Sequence, residues 1–488
     1  MNFTPPERVS AWIDGAFVDT TGTLLPVINP ATAQTFSHLV ESDAATVDAA
    51  VRSCVAAFDK GVWRNTSVDK RAAVLRRVAD LVELHADELA WLECSASGIP
   101  MQHLRAGQIP RTAQNFRFFA EVIGQHPGQL WTQNPRLLTY VAREPVGVAA
   151  LLGPWNAPLA LTSMKIAGAI AFGNSCVAKP SEVTPLAVAR FMPMLREAGV
   201  PDGVVNLVNG RGPSTGAALV EHPRVDLVSF TGGTATGRAI SQAAGRGLKP
   251  LSLELGGKSA CIVFDSADLD QALEGALTGI FSNNGQQCLA GSRILLQRGI
   301  AERFIERFVA RTRAMRIGDP MDPATQIGPL AFEQHLQRVL GFVDVALADG
   351  CELLAGGRRV EALRPGCYFE PTVVLAPSNM VRVCREEIFG PFATLQIFDT
   401  VEQAITIANG SDFGLVGYVW SDHLPTVQRA TRGIRAGVIW VNTPMARELR
   451  APFGGLKGSG QGREGGLSSM HFYTVEKTVS LAQGESFS

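Results

Sequence analysis

Apolar residues along this chain recur at helical spacing near its start and in short strand-length runs further on. From residue 44 to about 58, and again from 68 to about 98, they fall every three to four positions (Val74, Val78, Leu81, Leu89, Leu92), which predicts a long amphipathic helical front end. Residues 104 to about 121 predict another helix of this kind. Between about 126 and 143 the period shortens to two. Leu130, Leu137, Thr139 and Val141 bracket the turn-prone Asn134-Pro135, so a β-hairpin is expected there.

From residue 146 strand-like runs alternate with helical stretches. Strands are expected at 146–152, 175–178, 204–208 and 225–230, and helices at about 160–172, 185–198, 214–221 and after Gly237. Strands separated by helices imply a parallel sheet with right-handed crossovers. A second alternating region runs from 259–264 to about 441, and the tail at 472–481 returns to strand-like composition. The hairpin and the tail could pair into a small protruding sheet whose edge another subunit could use.

At 488 residues the chain has room for two to four domains. Its 44 Lys+Arg against 45 Asp+Glu leave a net charge of -1, which argues against nucleic acid as a main partner. With 49 Gly and 28 Pro the chain needs many tight turns. Eight scattered cysteines without a CxxC pair suggest neither a metal site nor a disulfide framework. The opening residues lack an apolar signal segment, and the apolar run 166–178 is too short for a membrane crossing. A cytoplasmic, reducing setting is therefore expected.

Several polar residues stand in settings that invite chemistry, each with a plainer alternative. Phe230-Thr-Gly-Gly-Thr-Ala-Thr-Gly carries Gly232, Gly233 and Gly237 from a strand into a helix, a turn suited to phosphate or merely to close packing. Cys288 lies in polar Asn283-Asn-Gly-Gln-Gln-Cys, as a nucleophile or a packed thiol. Glu254 ends an apolar run before two glycines, as a base or as a partner for Lys258. Asn156, in Gly153-Pro-Trp-Asn, is an oxyanion donor or a helix cap. Lys179 and Glu182, and Glu387 and Phe389, are ligand contacts or ordinary surface and core residues.

Taken together and in order, Pro154-Trp-Asn, Lys179-Pro-Ser-Glu, Phe230-Thr-Gly-Gly, Glu254-Leu-Gly-Gly-Lys, Gly285-Gln-Gln-Cys and Glu387-Ile-Phe-Gly-Pro resemble the NAD(P)-dependent aldehyde dehydrogenase superfamily. The likeness spans nearly the whole chain, from Asn29-Pro-Ala-Thr to Pro452-Phe-Gly-Gly-Leu-Lys-Gly-Ser-Gly. It implies an α/β fold with a Rossmann-like NAD-binding domain (1–124 and 145–256), an α/β catalytic domain (257–458) and oligomerisation segments (125–144 and 459–488) that make a homodimer or homotetramer. It also implies that Cys288 attacks the aldehyde, Asn156 holds the oxyanion, Glu254 activates water and Lys165 belongs to the proton path. Trp155, Lys179, Ser181, Glu182, Gly232, Gly233, Gly237, Glu387 and Phe389 would meet the cofactor, and no metal is implied. Glu182 would accept from ribose hydroxyls and repel a 2′-phosphate, which favours NAD. Gly233 stands where the family often has Ser, so one hydroxyl contact is missing and NADP stays possible.

Within the superfamily, Ile109-Pro-Arg-Thr-Ala-Gln-Asn-Phe-Arg-Phe-Phe and Arg447-Glu-Leu-Arg-Ala-Pro-Phe-Gly-Gly are similar to the muconate-semialdehyde dehydrogenases of aromatic catabolism. By position Arg111, Arg447 and Arg450 would reach the substrate tunnel, where guanidinium groups suit a substrate carboxylate; the alternative is that they pair with protein acids. The small apolar segment Ala157-Pro-Leu-Ala and Met445 would equally admit a bulkier, apolar aldehyde. Two rivals therefore stand beside a carboxylated semialdehyde as substrate: a dehydrogenase for simple aromatic or aliphatic aldehydes, and a catalytically silent protein on this fold.

Overall fold

In a computed structural model, which describes residues 3–483, two largely parallel sheets stand side by side with helices packed against them. The 484–488 end of the expected oligomerisation segment lies outside the described residues, as do the first two residues of the opening stretch. The first sheet runs in the order Gly460–Gln461, Leu251–Glu254, Leu227–Thr231, Val148–Leu152, Ser175–Lys179, Val205–Leu207, Trp12–Ile13, Ala16–Phe17. Its five middle strands are parallel, and Val148–Leu152, Ser175–Lys179 and Leu227–Thr231 are buried throughout. Burial on both faces explains why Val148–Leu152 reads as an unbroken apolar run and why the other two are apolar at most positions. The second sheet contains Glu352–Ala355, Thr372–Leu375, Phe392–Phe398, Arg293–Gln297, Ala260–Val263, Val416–Trp420 and Val438–Val441, with only the first strand antiparallel.

The hairpin and the tail do pair. Thr474–Ala482 lies antiparallel to Leu137–Pro145 over nine residues, and Gln129–Trp131 adds a short third strand. Leu130, Trp131, Val475 and Leu481 on this sheet are exposed.

Some boundaries move, for local reasons. The front end breaks at His85 into Val68–Leu84 and Ala86–Ser97. The helix expected from 104 opens with a π-helical turn, Leu104–Gln108, before Ile109–Val122. Pro110 has no N–H to continue an α-helical ladder into that turn, and the N–H of Ile109 reaches back to the Leu104 carbonyl. The helix expected after Gly237 begins earlier, at Thr234, because Gly233 in extended conformation already serves as its N-cap. Of the segment from 459 onward, Gly460–Gln461 joins the first sheet against Leu253 and Glu254, and only Thr474–Ala482 belongs to the small sheet.

Candidate active site

Cys288 follows the helix Leu269–Phe281 and a tight turn, Ser282–Gly285. Asn283, Asn284 and Gly285 are all left-handed (φ 57°, 56° and 68°), and a Cβ on Gly285 would fall 2.3 Å from the Gly390 backbone. Only glycine fits there. The Asn284 amide donates to the carbonyls of Gly98 and Pro329, both at 3.0 Å, and its oxygen accepts from the Gly328 N–H at 2.8 Å. The turn is thus pinned from both sides. Of the eight cysteines, all unpaired, Cys288 alone is not buried by side-chain exposure. Its low-dielectric surroundings, and then Glu387 and Glu254, push its thiol up to about 12, while Arg447 opposes the shift.

Asn156 does not cap the helix that follows it. Pro158–Ala171 has Ala157 at its N-cap and no local side-chain cap; the Leu159 N–H donates instead to the buried Glu93 carboxyl at 2.7 Å. The Asn156 amide donates to the Gln286 carbonyl at 2.9 Å, in the turn that carries Cys288. An NH2 group has two donors, so a second N–H remains for a developing oxyanion.

Glu254, at the end of Leu251–Glu254, is buried and neither carboxyl oxygen has a hydrogen-bond partner. Lys258 is not its partner, for the Lys258 ammonium is itself buried and unpaired. Burial, and then the charge of Glu464, holds the Glu254 carboxyl well above the usual range, against Lys165, Arg447 and Arg463. Lys165 donates to Glu464 at 2.7 Å and to Ser229 at 2.9 Å. Burial alone would raise Glu464; Lys165, with Arg447 and Arg111, holds it below the ordinary value instead. Glu464 escapes sequence reasoning because Gly-Arg-Glu-Gly-Gly reads as a turn.

The expected cofactor residues line strand ends of the first sheet and the loop facing them. Lys179 is buried and donates to the Pro180 carbonyl at 3.0 Å, and burial lowers its pKa against Glu182 and Glu41. Ser181 donates to Glu182 at 3.4 Å. Gly232 and Gly237 are close approaches, since a Cβ would meet the Phe230 ring at 2.4 Å and Leu255 at 2.5 Å. Gly233 faces open space at the uncapped N-terminus of Thr234–Gly245. Opposite, Glu387 accepts from the Gly257 N–H at 2.8 Å, and Phe389, at φ 65°, meets Trp155 edge-on at 5.1 Å. Arg338 donates to the carbonyls of Glu387 and Ile388, and His335 shares a 2.7 Å hydrogen bond with that of Phe389.

Two of the three expected substrate arginines come together. Arg111, Arg447 and Met445 line a cavity of about 500 Å³ with Gln114 and Pro110. Arg111 donates to Asn115 at 2.8 Å, and two buried nitrogens of Arg447 have no acceptor while its guanidinium stacks 4.2 Å over Phe453. Neither forms an ion pair among the described residues. Arg450 is not with them: its side chain is 78% exposed and forms a bidentate pair with Glu448 at 2.7 and 2.8 Å. Two residues of separation in irregular chain let this acid claim it locally.

A thiol on a rigid turn, an amide beside it, an unpaired buried carboxyl and a parallel sheet ending in a glycine-rich helix entrance are the features of an oxidoreductase of the aldehyde dehydrogenase class. The chain belongs to the aldehyde dehydrogenase family, which it matches over residues 17–479. It is 41% identical to the 5-carboxymethyl-2-hydroxymuconate semialdehyde dehydrogenase of Escherichia coli over 465 residues, 94% of this chain and 98% of that one. It is 40% identical over 476 residues to a betaine aldehyde dehydrogenase of Cereibacter sphaeroides, covering 97% of each. A solved NAD+ complex of an aldehyde dehydrogenase from Bacillus cereus superposes with a TM-score of 0.95 at 37% identity, covering 98% of this chain and 97% of that one. The aldehyde dehydrogenase fold expected from the sequence is thereby established.

Proposed function

We propose that this enzyme oxidises a carboxylated semialdehyde to the diacid, with NAD as cofactor and a thioester on Cys288 as intermediate. The observation that carries the substrate class is the pair Arg111 and Arg447, which line one cavity without forming an ion pair there; the acid in that lining, Glu83, pairs with Arg117 instead. Two desolvated guanidinium groups that neighbour each other and feel Glu464 without a direct ion pair favour an anionic ligand. Arg447 also links that cavity to the chemistry, because its charge acts on Glu464, Glu254 and Cys288. The relatives named for muconate semialdehydes support this reading.

The residues present fit the dinucleotide. Lys179 is a buried ammonium whose one acceptor is a neighbouring carbonyl, Glu182 supplies a carboxylate for ribose hydroxyls, and the uncapped helix entrance at Gly233 offers N–H groups to the pyrophosphate. Trp155, Ser181, Gly232 and Gly237 shape that cleft, and Glu387 and Phe389 take the nicotinamide end. When bound, NAD supplies the hydride acceptor. Cys288, once deprotonated, adds to the aldehyde carbon, and the oxyanion forms against the second Asn156 N–H and the Cys288 backbone N–H. Loss of hydride from this adduct leaves the thioester. Glu254, in its ionised form, takes a proton from water, the hydroxide carbon–oxygen bond forms, and the Cys288 carbon–sulfur bond breaks to release the acid. The Lys165–Glu464 pair carries the proton away from Glu254.

The exposed small sheet pairs with that of a second copy, giving a dimer or a dimer of dimers. The division into an NAD-binding part (1–124 and 145–256), a catalytic part (257–458) and a small sheet goes with this assembly. Eight free thiols suit the cytoplasm; among the described residues no helix is long and apolar enough to cross a membrane.

The test compares a muconate-type semialdehyde with benzaldehyde. Arg111→Ala is expected to lower kcat/KM for the carboxylated substrate at least tenfold and leave benzaldehyde nearly unchanged. Equal effects on both would remove the substrate assignment.

A further inference from the structure

The donor expected to hold the oxyanion is itself held by a side chain that nothing in the sequence singled out. Gln108 is the last residue of the π-helical turn Leu104–Gln108, and it is buried while Arg105, Ala106 and Gly107 before it are exposed. Its Nε2 donates to the Asn283 side-chain oxygen at 2.7 Å and to the Asn156 carbonyl at 3.3 Å. Asn283 completes the circuit, donating to the same Asn156 carbonyl at 3.1 Å and to the Gln286 carbonyl at 2.9 Å. The Asn156 amide donates to that Gln286 carbonyl too, at 2.9 Å. Gln108, Asn283, Gln286 and Asn156 thus form a closed ring, with Asn156 gripped at its backbone and at its side chain.

Two features mark the ring as built for position. The Gln108 Oε1 is buried with no partner, a loss of about 1–3 kcal/mol that only a required donor side would justify. Asn283, the bridging member, sits in the left-handed region at φ 57°, which places its amide between Gln108 and Gln286. A π turn is an uncommon device that recurs at functional sites, and here it precedes the helix that also carries Arg111.

We infer that Gln108 is a positioning residue for the reaction: through Asn283 and the Asn156 backbone it fixes the Asn156 amide in place before substrate arrives. It touches neither substrate nor Cys288. Its contribution is preorganisation, which keeps the oxyanion donor from having to reorient during the chemical step. The inference rests on the reading of Asn156 as that donor.

Kinetics of Gln108→Leu, Gln108→Met and Asn156→Ala, alone and combined, test it. Gln108→Leu is expected to lower kcat and single-turnover NADH formation about tenfold to a hundredfold while KM for NAD and the melting temperature stay near those of the parent. Gln108→Met keeps the length and removes the donors without adding charge, so it shows the same loss and serves if the leucine variant does not fold. In the Asn156→Ala background either substitution is expected to cost less than about twofold more. A full additional loss in that background would overturn the inference, because Gln108 would then act independently of Asn156. Slow Asn156→Ala with unaltered Gln108 variants would overturn it alone. Unimpaired Asn156→Ala would overturn the donor assignment and this inference with it.

Discussion

Lys165 and Glu464, 299 positions apart in the chain, close on each other at 2.7 Å in the protein interior. Lys165 lowers the Glu464 pKa against burial, and the charge of Glu464 adds to the rise that burial already imposes on Glu254. The two members of this ion pair therefore act in opposite directions on a neighbouring acid that belongs to neither partner.

Glu464→Gln removes that negative charge. Glu254 works as a base only when ionised, so turnover of the parent enzyme is expected to rise with pH until its raised pKa is passed. In the variant the acid limb of the kcat profile moves to lower pH. The same substitution leaves Lys165 buried without a counter-charge, at a cost of about 3–5 kcal/mol in stability. A pH–kcat series with thermal melts reads both; an unmoved acid limb would refute the coupling.

Cys288 rests as a thiol, its pKa pushed up to about 12. Below that value each added pH unit raises the thiolate fraction about tenfold. Iodoacetamide alkylation of the cofactor-free enzyme is expected to be slow at neutral pH and to climb steeply through alkaline pH. Arg447→Ala, which removes the favourable charge acting on the sulfur, slows it further. A flat rate between pH 6 and 8, marking a preformed thiolate, would contradict this.

Glu93 caps the helix Pro158–Ala171 from elsewhere in the chain, and burial raises its pKa from 4.5 to about 8. A carboxyl whose folded pKa is raised costs nothing while both states are protonated. Its penalty grows as pH rises from about 4.5 and levels off above about 8, reaching a few kcal/mol. Glu93→Gln keeps an acceptor for the Leu159 N–H and cannot ionise, so its melting temperature is expected to fall less than the parent's between pH 5 and 8.5. Glu93→Ala loses the cap as well and is less stable at every pH. Parallel melting curves for parent and Glu93→Gln would refute the assignment.

Arg338 and His335 hold three successive carbonyls of the Glu387–Phe389 loop from one face of the helix Glu333–Ala348. Phe389 adopts its positive φ within that grip. Arg338→Leu is expected to weaken NAD binding roughly tenfold, as about 1.4 kcal/mol of lost positioning would, with kcat changed less than twofold. Calorimetric titration with NAD measures the affinity directly; an unaltered Kd would refute it.

Much of the framework was legible because burial leaves a mark on single residues. Val148–Leu152 is apolar along its length since both faces are covered, and Cys288, Glu254 and Asn156 stood out as polar residues beside glycines and strand ends. What stayed hidden depends on pairs. Glu93, Gln108 and Glu464 each act through a partner far away in the chain, and no local pattern announces such a contact. Arg447 and Arg450 looked equivalent; only the local acid Glu448 turns the second outward. The π turn before Pro110 was hidden too, since proline near a helix start ordinarily fits an α-helix.

The strand Gly460–Gln461 docks on Leu253 and Glu254, and Glu464 follows it into the interior. A ribosome making this chain exposes Cys288 well before that strand exists. The Lys165–Glu464 contact and the strand pairing beside Glu254 therefore form only once residues 460–464 have been made.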